Sequence, residues 1–406
     1  MFRQFGLSSA EPLNATAFQS LCSLGIVEAT ITGPQGPRKE YPPMQQPRVP
    51  VVARDGTPLM PTTPAHARIM LRDGVARARR NKLGFFYIQM LIPLGTATQP
   101  MVLALDPGSK HEGVAVASHK QIEVTAQVNL PDQTHKKMET RRNLRRARRY
   151  RKTPRRPKRF DNRRHGRSYW LAPSQLSKVQ ARLKAVRELC RIYPIQQIIV
   201  ENVRHDPKIG KQAHFFSTTE IGKTVTLREL QKLAPVTVVE STDTATWRQQ
   251  FRLTKIQGPN RPEVFETQAV DAVAMLMGIT RCAFGNRSFY VFTALRHHRR
   301  SLHRQNPQKG RARLPYGGTA NGTFFRKGDW VEVTTRRGRL RGWVCGLPTT
   351  VTRKVGVAGP AGRRIGQFGI RQVRLLARSG GFTWERRGAA LLPPASAVGR
   401  STASVR

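Results

Sequence analysis

Three carboxylates stand out in a chain that has 24 Asp and Glu against 71 Lys and Arg. Asp106 closes the β-rich run MVLALD at a Pro-Gly turn, and Glu201 closes the apolar run IIV. Asp271 interrupts AVDAVAMLM, a stretch that is otherwise wholly apolar. Strand ends facing one another across a sheet, with an adjoining helix, bring such side chains within a few ångströms. Three carboxylates so placed repel unless divalent cations hold them. Two Mg²⁺ or Mn²⁺ ions about 4 Å apart would neutralise them and stabilise the attacking and leaving oxygens of a phosphodiester in line. The plainer alternative is that the two strand-end acids are turn residues or helix caps. It is weakest for Asp271, because a lone charge in an apolar stretch needs a partner.

The second chemical feature is basic. Residues 141–167 hold 15 Lys or Arg and one acid, Asp161. Residues 139–152 (ETRRNLRRARRYRK) contain good helix formers and no breaker until Pro154. The arginines at 141, 142, 145, 146, 148, 149 and 151 point all round such a helix. With no apolar face it cannot dock on a protein core, but between nucleic-acid strands every face meets phosphate, which guanidinium groups bind in bidentate fashion. A basic linker without fixed structure is the alternative reading.

The elements that must position these groups follow from periodicity. Residues 1–47 show no convincing period and read as a disordered leader. From Pro50 a short strand, a turn at Asp55-Gly56, a Pro58–Pro61 loop and a helix from Thr63-Pro64 to about Asp73, closed by Gly74, are predicted. Residues 84–91 read as a strand, residues 101–118 as a hairpin with Asp106 ending its first strand, and 122–128 as a third strand. Residues 174–191 form an amphipathic helix, with Leu176, Val179, Leu183, Val186 and Cys190 on one face. Residues 195–200 read as a strand covered on both sides, ending at Glu201. A helix near 219–232, a strand at 236–240 and a helix at 263–279 complete an α/β domain with a central mixed sheet. Residues 285–318 read as basic loop. Beyond Phe324, short strand candidates at 329–334, 340–345, 354–357 and 372–376 suggest a small β module.

Composition bounds the partners. A formal charge of +47 on 406 residues calls for a polyanion. The longest apolar run, residues 83–93, is far short of the ~20 residues of a spanning helix, so no membrane partner is expected. No signal peptide is recognised at residues 2–25. Cys22, Cys190, Cys282 and Cys345 are scattered, without a C-x-x-C pair, which fits a reducing compartment. The expectation is a cytoplasmic protein, nucleoid-associated in a prokaryote.

With these residues laid out, the chain resembles the transposon-encoded RuvC-like family of IscB and IsrB, compact relatives of the RNA-guided CRISPR nucleases. DGTPLMPTTPAHARIMLRDG is similar to the family's amino-terminal PLMP module. LALDPGSKHEGVAVA resembles the first RuvC motif, IIVENVRHD the second and ETQAVDAVAML the third. RRNLRRARRYRK resembles the bridge helix, the RRXRR element, and RRSLHRQNPQKGRARLPYGG the basic segment that follows the third motif. The resemblance spans roughly residues 50–380.

It implies an α/β fold with an RNase H-like (RuvC) mixed sheet interrupted by the arginine-rich bridge helix, a small N-terminal PLMP module and a small C-terminal β module. The implied divisions are a leader 1–47, PLMP module 48–95, first RuvC part 96–138, bridge helix 139–167 and later RuvC parts 168–284. A basic linker 285–323, a DNA-motif-interacting β module 324–380 and a disordered tail 381–406 follow. It further implies Asp106, Glu201 and Asp271 holding two Mg²⁺ (or Mn²⁺) ions. A noncoding guide RNA and a double-stranded DNA target would meet Arg141, Arg142, Arg145, Arg146, Arg148, Arg149, Arg151, Lys152, Arg155 and Arg156, together with Arg299, Arg300, His303 and Arg304. The protein would be a monomer in its ribonucleoprotein.

Two departures shape the expected activity. IscB members carry an HNH nuclease between the second and third motifs. Here residues 202–262 leave no room for one, and His205 and His214 lack the HNH pattern. The resemblance is therefore to IsrB, and one active site implies a nickase. Family members also have a histidine three residues before the last aspartate, where this chain has Gln268. Glutamine hydrogen-bonds water but takes no proton at neutral pH. That leaves the proton to a metal-bound hydroxide or a phosphate oxygen, or marks a copy that binds nucleic acid without cutting. A guide-independent RuvC-like nuclease is the third reading.

Overall fold

The computed structural model describes residues 48–150, 171, 173–202, 218–257, 263–284, 289–295, 324–347 and 353–387, all within the compact unit Pro43–Arg406. Its first element group is a four-stranded sheet ordered β2-β1-β4-β3, built from β1 (Val49–Val52), β2 (Pro58–Thr62), β3 (Ala76–Arg80) and β4 (Phe86–Met90). Helix α1 (Pro64–Arg72) begins as the sequence predicts: the Thr63 hydroxyl accepts from the His66 amide and Pro64 takes the first turn, where no donor is needed. The Pro58–Pro61 segment corrects the expected loop. It is a strand, because it is an edge partner of β1 and its prolines sit where missing amides cost little.

The central sheet has seven strands in the order β16-β10-β7-β6-β5-β8-β9. They are β5 (Met101–Asp106), β6 (His111–Ala117), β7 (Ile122–Asn129), β8 (Ile195–Asn202), β9 (Val236–Glu240), β10 (Phe289–Ala294) and β16 (Phe382–Arg387). Strands β5, β6 and β7 form an antiparallel meander, and β8 and β9 extend it in parallel beyond β5. Five strands in the order third, second, first, fourth, fifth, with only the second reversed, make this an RNase H-like fold. Two of the seven strands lie outside the predicted set. Phe289–Ala294 falls in the expected basic loop and Phe382–Arg387 in the expected tail, yet they pair with β7 and with each other. Each is a short β-prone run flanked by arginine, so composition hides it.

The two faces of the sheet differ in side-chain size. Leu103, Leu105, Val114, Val116, Val124 and Val128 pack under α3 (Pro173–Cys190) and α4 (Thr218–Gln231). On the other face Ala104, Ala115 and Ile199 lie beneath α6 (Phe265–Thr280), beside α5 (Ser241–Gln250). Small residues on this face let α6 approach closely, and every residue of α6 from Phe265 to Leu276 is buried. In α3, Val179, Leu183, Val186 and Leu189 are among the buried residues and Cys190 is partly buried, whereas Leu176 is exposed.

Helix α2 (Thr134–Arg149) follows β7 and precedes α3. Beyond Phe324, β11 (Trp330–Thr335), β12 (Gly338–Gly346), β13 (Lys354–Ala358), β14 (Arg364–Gly369) and β15 (Val373–Ala377) form a five-stranded antiparallel sheet over Val331, Val333, Val344, Val355 and Val357. Strand β14 lies outside the predicted set, since its residues RIGQFG show no apolar–polar alternation. Among the described residues, no helix is long and apolar enough to cross a membrane.

Candidate active site

Asp106 is the last residue of β5, and its antiparallel partner is Gly113. Glu201 lies next to it, because Leu105 and Val200 are in register between β5 and β8. Side chains alternate across a strand, so Asp106 and Glu201 share the α6 face with Ala104 and Ile199. The third acid reaches them because α6 lies almost on the backbone of β6. A Cβ built on Gly113 would stand 2.0 Å from the Gln268 carbonyl oxygen, so only glycine permits this approach. One turn further along α6 is Asp271.

The three carboxylates each offer an oxygen within 4.8 Å of the others. Asp106, Glu201 and Asp271 are 8 %, 7 % and 1 % exposed, so their charges meet with little water between them. Burial, then the charges of Glu201 and Asp271 and a side-chain hydrogen bond with Glu201, push the Asp106 carboxyl well above the usual carboxylate range; Lys255 offsets part of this. Lys255 Nζ pairs with Asp271 Oδ2, while Arg248 Nε lies 3.1 Å from Asp271 Oδ1. That second contact is an ion pair without hydrogen-bond alignment, since neither atom has a hydrogen-bond partner among the described residues.

Hard oxygen donors, crowded like charges and a buried Asp271 Oδ1 lacking a donor together fit divalent cations of the Mg²⁺ or Mn²⁺ class. Gln268 is 8 % exposed, one turn before Asp271 on α6. Sequence reasoning missed Lys255 and Arg248. Their signal was the unpartnered charge of Asp271 in an apolar helix, which demanded cations without saying which.

The arginine helix is observed over Thr134–Arg149, and the side chains of Arg141, Arg142, Arg145, Arg146 and Arg149 are all exposed. Arg148 lies in the same helix, and its side chain is outside the described set. Arg151, Lys152, Arg155, Arg156, Arg299, Arg300, His303 and Arg304 fall outside the described residues.

Residues 49–221 match the family model described as RRXRR protein. Asp106, Glu201, the arginine helix and the PLMP strands all lie in that span, while Asp271 lies beyond it. Among solved structures, the chain is similar to Thermus thermophilus RuvC in complex with a Holliday junction substrate, at 15% identity and a TM-score of 0.25, covering 44% of this chain and 92% of that one. It is similar also to a second Thermus thermophilus RuvC structure, at 13% identity and a TM-score of 0.24 with the same coverage. No curated protein sequence matches.

Proposed function

We propose that this chain is an RNA-guided nuclease of the IsrB type that nicks one strand of duplex DNA by hydrolysing a phosphodiester. The observation that carries the reading is the buried cluster of Asp106, Glu201 and Asp271 on an RNase H-like sheet. The match of residues 49–221 to RRXRR protein supports it, as does an exposed arginine helix placed between the first two acids.

Asp106, Glu201 and Asp271 would hold two Mg²⁺ or Mn²⁺ ions, which supply charge neutralisation at the phosphate and an activated water. The chain's own part is positioning. Strands β5 and β8 fix two carboxylates side by side, and Gly113 sets the depth of the third. Lys255 and Arg248 limit repulsion at Asp271. Arg141, Arg142, Arg145, Arg146 and Arg149 would grip the phosphates of a guide RNA whose pairing selects the DNA. The sheet beyond Phe324 would read a short flanking motif, and the displaced strand would be the one cut.

One observation favours a second reading. The Lys255 ammonium already contacts Asp271 where a metal would bind, as expected of a chain that binds nucleic acid without cutting. Sequencing the copurified RNA and assaying Mg²⁺-dependent nicking of plasmid matched to it separates the two. A defined RNA with nicking that Asp106→Ala abolishes supports the nickase. Nicking that survives Asp106→Ala sinks the site assignment, and no nicking with Mg²⁺ or Mn²⁺ leaves the binding protein.

A further inference from the structure

A polar chain runs through the apolar sheet beside the carboxylates. Asn129 Nδ2 donates to Glu263 Oε1 at 2.8 Å and to Thr293 Oγ1 at 3.1 Å. Its Oδ1 accepts from Gln127 Nε2 at 2.7 Å and lies 2.7 Å from His111 Nδ1. Arg387, at the end of β16, holds Glu263 through an ion pair of 2.9 Å. Gln127 and Asn129 are both buried. Burying this many polar groups costs stability unless each is satisfied, and a satisfied network fixes its members' orientation.

The orientation here sets a tautomer. A carboxylate only accepts, so Glu263 turns the Asn129 amide nitrogen toward itself and the amide oxygen toward His111. That oxygen also only accepts, so His111 Nδ1 carries the proton. Gln127 Nε2, 3.4 Å from Nδ1, would favour the opposite tautomer, but the shorter contact to Asn129 is the stronger hydrogen bond. His111 Nε2 then keeps its lone pair, and among the described residues nothing donates to it. His111 is also partly exposed, at the open end of a buried strand.

Its place on the sheet gives the lone pair a use. Asp106 pairs with Gly113, and His111 lies two residues earlier, at the start of β6, on the same face. Diagonal neighbours on one face are about 7–8 Å apart, within reach of an aromatic side chain. The charged groups on the elements packed around this strand end are Lys110 with Asp132, Glu112 with Arg182 and nearby Lys178 on the opposite face, Glu266 in α6, and Glu263 and Glu385 with Arg387.

We propose that His111 is the proton acceptor of the carboxylate site, with Asn129 and Glu263 as its positioning residues. The inference rests on the nuclease reading above. As the water oxygen bonds to phosphorus, its proton passes to His111 Nε2. The bond from phosphorus to the leaving sugar oxygen breaks, and that oxygen takes a proton from solvent. An imidazole does this well near neutral pH, and the group oriented behind it keeps the accepting nitrogen aimed.

The test uses the full chain with its copurified RNA, a plasmid matched to that RNA and saturating Mg²⁺, across a pH series. Wild-type nicking should rise tenfold per pH unit on the acidic side and then level. His111→Gln, which keeps a hydrogen-bonding side chain, should lose about 10²–10⁴-fold in rate together with that acidic limb. His111→Ala should regain activity with added imidazole, in proportion to its neutral form. Asn129→Ala should keep the limb at a lower rate. Independently of activity, ¹⁵N NMR should find His111 protonated at Nδ1; an Nε2–H tautomer would overturn the proposal. So would an unchanged rate and limb in His111→Gln, with the nuclease reading left standing. A wild type that never nicks removes that reading, and the proposal with it.

Discussion

Replacing Asp106 by Asn separates the charge of the carboxylate site from its shape. The three carboxylates have oxygens within 4.8 Å of one another, and two unit charges at that distance repel by about 3.5 kcal/mol at an effective dielectric near 20. Lys255 and Arg248 pair with Asp271, and Lys255 offsets only part of the repulsion at Asp106. Without metal, burial and the charges of Glu201 and Asp271 hold the Asp106 carboxyl well above its ordinary range, which favours its protonated form. Asparagine imitates that neutral form, so Asp106→Asn in EDTA should melt at or above the wild-type temperature. The metal response should differ. At a hundredfold excess over Kd, a metal that binds only the folded chain adds about 2.7 kcal/mol. At roughly 2–4 °C per kcal/mol for a domain of this size, that is a rise of about 5–10 °C.

The pH dependence has a definite sign. The folded chain holds the Asp106 proton at pH values where the unfolded chain has released it. The stability this carries is complete below the ordinary carboxylate range and is lost as pH rises through the raised value. Metal-free wild type should therefore lose melting temperature as pH rises above the ordinary carboxylate range, while Asp106→Asn stays nearly flat. Mg²⁺ or Mn²⁺ should remove the difference in wild type by displacing the proton. Calorimetry with and without metal reads all four conditions. Equal metal-induced shifts in wild type and Asp106→Asn would refute the reasoning, as would none in wild type.

Three further perturbations test the supports of the site. Gly113→Ala drives a methyl into the Gln268 carbonyl, so it should cost about 1–3 kcal/mol in chemical denaturation and lower metal affinity by moving Asp271; an unaltered metal titration would show that helix approach does not set the site. Arg182→Ala leaves Glu112, which is fully buried, without its partner and should cost about 3–5 kcal/mol, whereas Arg182→Met with Glu112→Leu should be close to neutral; a mild single variant would contradict the buried ion pair. Arg145→Ala with Arg146→Ala should shallow the salt dependence of RNA binding by about 0.7–0.9 for each phosphate that is no longer neutralised, and an unchanged slope would remove those side chains from the RNA.

What could be read from sequence is what local pattern dictates. The β-rich runs of β5 and β6 about a Pro-Gly turn and the apolar run of β8 placed Asp106 and Glu201 at strand ends, where they are found. The apolar stretch around Asp271 fixed a buried helix. Long-range pairing was not legible. Nothing local says that Phe289–Ala294 and Phe382–Arg387, with the whole five-stranded sheet between them in sequence, close one edge of the central sheet. The same limit hid Lys255, Arg248 and the Asn129 network, which depend on loops and strands meeting in space. Gly113 carries no local signal of its own, although it sets the depth of α6.

The compensation of charge at the site is uneven, and the unevenness bears on how it is loaded. Both basic partners act on Asp271, the most buried of the three, and both come from the stretch between β9 and α6. Asp106 and Glu201 face each other, with Lys255 relieving part of the charge at Asp106. A cation held by Asp106 and Glu201 would therefore compete with the proton that the raised Asp106 carboxyl favours. It need not expel Lys255 at that step, because Asp271 still presents Oδ1, which has no hydrogen-bond donor among the described residues. The ion pairs at Asp271 thus keep the metal-free helix seated on the sheet, while the raised Asp106 carboxyl should make metal uptake weaken as pH falls.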